Sequence, residues 1–154
     1  MTKRSVTHGT FTIERRFDAS PRRVFQAFAD PEAKARWFGG PPEWGPNKKT
    51  MDFRVGGHET NRATPPGHKE HSFEALYYEI IPDERIVYTY EMHIGDERIS
   101  VSLATIEFFP DGAGTHLKLT EQGAFLDAFD NPKVREEGTI GLMDRLEASL
   151  RPDQ

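Results

Sequence analysis

Apolar and polar positions alternate with a period of two over most of this chain, and the period lengthens to that of a helix in three places. Phe11 and Ile13 flank Thr12 and precede Glu14. With Phe17 they mark a first strand over Thr7–Phe17. Ser20-Pro21 then supplies a capping hydroxyl and a proline at the first helical position, and Val24, Phe25 and Phe28 form one apolar face. Asp30-Pro31 repeats the start signal, so a second short helix runs to Trp37, ahead of the break at Gly39-Gly40. The corner from Trp37 through Phe38, Gly39-Gly40 and Pro41-Pro42 to Trp44 sets large rings beside glycine and proline. That is the composition of a fixed hydrophobic lid.

Lys48 to Phe125 reads as strands and turns only. Met51 and Phe53 alternate with Asp52 and Arg54, and Gly56-Gly57 reads as a hairpin turn or bulge. Thr64-Pro65-Pro66-Gly67 is a loop, and His71–Ile81 is a long strand closed by Pro82-Asp83. Ile86, Tyr88, Tyr90 and Met92 alternate with Val87, Thr89, Glu91 and His93. Gly95-Asp96 turns the chain into Ile99–Phe109, and Pro110–Gly114 turns it into Thr115–Glu121, where Leu117 and Leu119 alternate with polar residues. Asn131 caps a last helix that starts at Pro132, carries Val134, Gly138, Leu142 or Met143, Leu146 and Leu150 as its apolar stripe, and ends at Arg151-Pro152.

Sequential strands joined by short turns pair with one another. A twisted sheet of this size curls, and a helix with one apolar face must bury it. The expected fold is α+β: a curved antiparallel sheet of six to seven strands wrapped around the long C-terminal helix, with two short helices after the first strand. A cavity between sheet and helix is the expected place for a ligand.

Composition narrows the function. One domain over residues 1–154, with its core within 10–150, is expected from 154 residues. The net charge of −5 favours neither nucleic acid nor an anionic membrane, and the Arg15-Arg16 and Arg22-Arg23 pairs read as solvated faces. The chain has no cysteine, which excludes disulfides, thiol nucleophiles and thiolate metal sites. Met1–Gly9 has no apolar core of a signal peptide and no stretch is long enough to span a membrane, so a cytoplasmic location is expected. His68-Lys69-Glu70-His71 does not match the one-turn spacing of a helical zinc site, and His68 and His71 would face opposite ways on a strand. His8, His58, His93 and His116 show no paired spacing, and neither a metal nor a cofactor is expected.

Several segments carry a family resemblance: Ser20-Pro21 with Val24-Phe25, Asp30-Pro31 to Trp37, and Phe38-Gly39-Gly40-Pro41. To these add Asp52-Phe53-Arg54-Val55-Gly56-Gly57, Glu79 to Tyr88, and Gly114-Thr115 with Leu117 and Leu119. In their order and spacing, from Thr10 to Leu150, the chain resembles the bacterial relatives of the C-terminal domain of the activator of heat-shock-protein-90 ATPase. These belong to the START-like, helix-grip superfamily, with the birch-pollen allergen and the polyketide cyclases. The resemblance implies a ligand-sized cavity and no shared catalytic set. It also makes the departures informative. Relatives place apolar residues after Gly56-Gly57 and a tryptophan after the helix glycine; here stand Glu59, Asn61 and Ala63, and Thr139 follows Gly138. By family register Ser100 and Ser102 share the inner face with Ala104, Ile106 and Phe108, and Glu121 shares it with Leu117 and Leu119. The implied interior is polar, provided no strand slips by one residue.

The leading expectation is enclosure of a small, partly polar hydrophobic molecule by Trp37, Phe53, Glu59, Asn61, Tyr78, Tyr88, Tyr90, Ser102, Thr139 and Met143. The alternative is a cyclase or hydrolase using a cavity carboxylate, Glu59 or Glu121, as acid or base. A third reading is a co-chaperone-like interaction module. Val101, Leu103 and Phe109, read as an outer apolar stripe, would serve that partner or a homodimer. Trp37, Phe38 and Trp44 read first as a plug at the cavity mouth and second as a stacking surface for an aromatic ligand.

Overall fold

The computed structural model describes residues 4–151. Its elements are β1 (Val6–Phe17), α1 (Pro21–Ala29), α2 (Pro31–Ala35), a 3-10 turn (Pro42–Trp44), β2 (Lys48–Met51), β3 (His58–Ala63), β4 (His71–Ile81), β5 (Arg85–Ile94), β6 (Glu97–Asp111), β7 (Gly114–Leu126) and α3 (Pro132–Ser149). All seven strands form one antiparallel sheet in the order β1-β7-β6-β5-β4-β3-β2. Every neighbour from β2 to β7 is also a sequence neighbour, and β1 returns to pair with β7. The sheet is curved and open, with β1 and β2 as its edges.

The helix starts follow their capping residues. Ser20 Oγ accepts from the Arg23 amide at 3.2 Å, Asp30 Oδ2 from Ala33 at 3.3 Å, and Asn131 Oδ1 from Val134 at 2.9 Å, each ahead of a proline whose missing N–H is one the helix could not use. α1 buries Val24, Phe25 and Phe28. Phe25 and Phe28 meet Phe108 of β6 edge-on, at 5.7 and 5.6 Å between ring centres. Trp37 packs on Phe28 and donates its indole N–H to the Ala27 carbonyl at 2.9 Å. α3 starts over β1, where Gly9 leaves room for Pro132; a Cβ at Gly9 would come within 2.4 Å of Pro132 Cγ.

Three expectations about local structure change. The strand expected through Arg54 stops at Met51, because Asp52–Gly57 folds into a turn held by Gly57 N–H to Arg54 O at 2.8 Å. Phe53 thereby leaves the sheet and, half-buried, packs against Phe25 and Tyr77 of the main core. Second, Tyr78 points outward and is exposed, while Tyr77 is buried. Phe73, Ala75 and Tyr77 face inward, and a bulge between Tyr77 and Glu79 adds one residue before Ile80 returns to the core. Alternation counted back from Ile80 therefore picks the wrong tyrosine.

Third, the buried face of α3 is rotated from the expected stripe. Val134 and Gly138 are exposed, and Thr139, Met143, Leu146 and Leu150 are buried. Arg135, one turn before Thr139, takes the inward position. The end of that helix expected at Arg151-Pro152 falls partly on Pro152, outside the described residues.

Candidate functional site

A cavity of about 360 Å³ lies between the concave face of the sheet and α3. One wall is aromatic: Trp37, Phe38, Phe73, Tyr88 and Tyr90. These rings form a contiguous chain, with Trp37–Phe38 at 5.6 Å, Phe38–Phe73 at 5.0 Å, Phe73–Tyr90 at 5.0 Å and Tyr88–Tyr90 at 6.0 Å. The opposite wall is α3 with Thr139, Leu142 and Met143. The rim combines exposed Gly138 and Arg145 of α3 with the Gly39–Pro41 corner and Trp44. That corner is fixed. Gly40 donates to Asn47 Oδ1 at 3.2 Å, and Trp44 packs so close to Gly40 that a Cβ there would meet its ring at 2.6 Å.

Two buried polar clusters border the cavity. In the first, Lys34 of α2 donates to Glu59 Oε1 of β3 at 2.7 Å, and the Tyr77 hydroxyl donates to the same oxygen. Lys34 also sits 4.5 Å above the Phe38 ring. Burial lowers the Lys34 ammonium pKa, against the pull of Glu59. Burial, and then the Glu59 charge, raises that of the Tyr77 phenol.

In the second cluster, Tyr90 donates to Glu121 Oε2 at 2.7 Å and accepts from Arg135 Nη1 at 3.0 Å. Arg135 Nη2 reaches Ser100 Oγ at 2.8 Å and Asp130 Oδ2 at 2.7 Å. The guanidinium lies 5.5 Å from the Tyr90 ring and 5.2 Å from Phe125, and 3.9 Å from the Glu121 carboxylate. Burial raises the Glu121 pKa, while Tyr90, Arg135 and the nearby Ser102 hydroxyl oppose the rise. Burial raises that of Tyr90 as well, and that of Tyr88 well above the ordinary phenol value. Tyr88 also lines the cavity.

The expected site residues divide accordingly. Trp37, Asn61, Tyr88, Tyr90, Thr139 and Met143 line the cavity, and so does Glu121. Phe53, Glu59, Tyr78 and Ser102 do not. Phe53 is half-buried against the core, Tyr78 is outside, and Glu59 is spent on Lys34 and Tyr77. Ser102 is buried beside Gly123 without a hydrogen-bond partner. Sequence reasoning missed Lys34 and Arg135, the two buried cations that line the cavity. Nothing in the pattern around Pro31–Ala35 marks Lys34, and Arg135 lies off the stripe expected for α3.

Outside the cavity, Val101, Leu103 and Phe109 are exposed. Glu74, Glu91 and His93 gather on neighbouring strands with ligand atoms within 4.8 Å of one another, a grouping that spacing along the chain does not reveal. Arg62 lies 3.5 Å from Glu74, and Arg98 3.5 Å from Glu91, so each carboxylate already has a cation nearby. His71 meets Trp44 edge-on at 5.2 Å between ring centres, and burial lowers its pKa. No helix of the described residues is long and apolar enough to cross a membrane.

One consequence is measurable. The Glu121 carboxyl has a raised pKa in the folded chain, so the folded state binds more protons than the unfolded one above the ordinary carboxylate range. Stability from this group is present below that range and is lost as pH rises through the folded value. Glu121→Gln keeps an acceptor for Tyr90 and removes the titration. Its stability, measured by urea denaturation, should gain on wild type between pH 5 and pH 8; parallel pH profiles would contradict this.

A curved antiparallel sheet gripping a C-terminal helix over a polar-and-aromatic cavity defines a START-like, helix-grip protein. The chain belongs to the family described as Activator of Hsp90 ATPase homolog 1-like protein, whose model matches residues 18–151. It is similar to a solved protein from Rhizobium loti, at 48% identity and a TM-score of 0.87 over 94% of this chain and 99% of that one. A Rhizobium leguminosarum protein is 42% identical, with a TM-score of 0.92 over 97% and 98% of the two chains. An AHSA1-like protein from Aeromonas hydrophila shares the fold at 18% identity, with a TM-score of 0.72 over 95% and 98%. No curated protein matches the sequence.

Proposed function

We propose that this protein binds a small, partly polar organic molecule in the cavity between the sheet and α3. The observation that carries the reading is the cavity itself. Its volume of about 360 Å³ is at the lower end of the roughly 300–1,000 Å³ of small-molecule sites, and it joins an aromatic wall to a few convergent polar groups. Burial against Trp37, Phe38 and Phe73 supplies affinity. Tyr88, Asn61 and Glu121 supply orientation.

Acid/base catalysis is the second reading, and Glu121 favours it over Glu59. Glu121 lines the cavity and its carboxyl is shifted toward neutral pH by burial. Glu59 is held by Lys34 and Tyr77 and does not line it. Turnover of a bound molecule that disappears in Glu121→Gln supports the enzyme; binding without turnover leaves a carrier or sensor.

The test is a thermal-shift screen of a metabolite library against wild type and Thr139→Trp. An indole at position 139 fills the space beside Met143 and Leu142. A ligand at 100 times its Kd stabilises the native state by about 2.7 kcal/mol, and Thr139→Trp should weaken such a hit by about tenfold or more, or about 1.4 kcal/mol. A hit of undiminished affinity in Thr139→Trp would place binding elsewhere, and a screen without hits would sink the cavity reading and point to the outer Val101–Leu103 surface.

A further inference from the structure

We propose that the molecule held in this cavity carries a protonated amine, met by the Glu121 carboxylate, with its apolar body among Phe38, Phe73 and Tyr88. The inference rests on the cavity being the binding site and names the class of ligand.

Charge balance carries it. Around the cavity two buried cations, Lys34 and Arg135, stand against three carboxylates, Glu59, Asp130 and Glu121. Lys34 is matched to Glu59 at 2.7 Å, and Arg135 to Asp130 at 2.7 Å. Glu121 is left over. Its close neighbours are two neutral hydroxyls, Tyr90 at 2.7 Å and the more distant Ser102, and Arg135 stands off at 3.9 Å. Tyr90 and Arg135 both lie toward Oε2. A carboxylate in this position, with only a shared cation, is stabilised by a second cation that arrives in the cavity.

The walls fit the same chemistry. The faces of aromatic rings attract cations, and two of the cavity's rings already hold one: Lys34 over Phe38 and Arg135 over Tyr90. An anionic ligand in the same volume would meet Glu121 and the negative ring faces. It would have to draw Lys34 and Arg135 away from carboxylates 2.7 Å distant. The remaining ionisable groups at the rim are His71, whose pKa is lowered, and exposed Arg145, whose guanidinium is 3.4 Å from the Gly39 carbonyl.

Three probes with one bicyclic body separate the possibilities: 1-naphthylmethylamine, 1-naphthalenemethanol and 1-naphthoate, titrated calorimetrically at pH 7. The amine is expected to bind wild type about tenfold more tightly than the alcohol, and naphthoate most weakly. In Glu121→Gln the amine should fall to the affinity of the alcohol. Equal binding of amine and alcohol to wild type overturns the amine while leaving the cavity reading intact. Naphthoate binding tightest overturns it in favour of the Lys34 and Arg135 side chains, and an amine preference that survives Glu121→Gln overturns the role of that carboxylate. Binding by none of the three removes both the amine and the cavity reading. If Glu121→Gln fails to fold, the wild-type order of the probes decides.

Discussion

Glu59→Ala is expected to destabilise the fold by about 3–5 kcal/mol, because it strands the Lys34 ammonium in a buried site. At about 2–4 °C per kcal/mol for a chain of this size, the loss is readily seen in a melting curve. The Tyr77 hydroxyl loses its acceptor in the same step. The pH dependence identifies the cause. In the folded chain Lys34 already titrates below its ordinary value of 10.5, and the two effects that pull it back up both come from Glu59. Between the folded and unfolded values the unfolded state binds more protons, so stability rises with pH. The deficit of Glu59→Ala should therefore shrink between pH 7 and pH 10 as Lys34 becomes neutral. A deficit that is the same at both values would mean that packing, not the stranded charge, is responsible. Lys34→Met with Glu59→Leu should recover most of the loss, since an apolar pair has no desolvation to repay.

The same residues show where the sequence was legible. Strand order followed from short turns and alternation, because each β-turn leaves only the adjacent strand within reach. Inward placement of Ser100, Ser102 and Glu121 followed from register, since no bulge lies between them and the apolar residues that set the phase, and that of Glu59 and Asn61 followed from the family's alternation after Gly56-Gly57. Where alternation broke, the reading broke. The bulge after Tyr77 exchanged Tyr77 for Tyr78, and the turn at Asp52–Gly57 removed Phe53 from the sheet. On α3 the first two turns cover a cavity rather than a packed core, so few apolar residues mark the buried face there. Val134 drew the stripe toward itself, although it is exposed, and hid Arg135. The Arg135 position had one usable signal: it lies one turn before Thr139 and two before Met143, both placed in the cavity from sequence. Lys34 had none, because only the folded placement of α2 against β3 shows that its partner is Glu59.

Arg135→Met is the variant that ties stability to the site. Methionine fills the aliphatic part of the arginine, but Asp130 and Glu121 lose their cation, and Ser100 and Tyr90 lose a donor. Leaving buried carboxylates unpaired should cost about 3–5 kcal/mol at neutral pH. The sign of the pH effect is opposite to that of Glu59→Ala. Burial already raises the Glu121 pKa and Arg135 pulls it down, so removing Arg135 raises it further. A raised carboxyl contributes stability at low pH that is lost as pH rises through the folded value. Urea denaturation of Arg135→Met should therefore show a smaller deficit at pH 5 than at pH 8, and adding Glu121→Gln should flatten that slope. A deficit independent of pH would reduce Arg135 to a packing role and remove the charge argument for Glu121. The variant also reports on the ligand. With its internal cation gone, Glu121 should accept an external one more strongly, so 1-naphthylmethylamine should raise the melting temperature of Arg135→Met by more than that of wild type, and a smaller rise would count against an amine at Glu121.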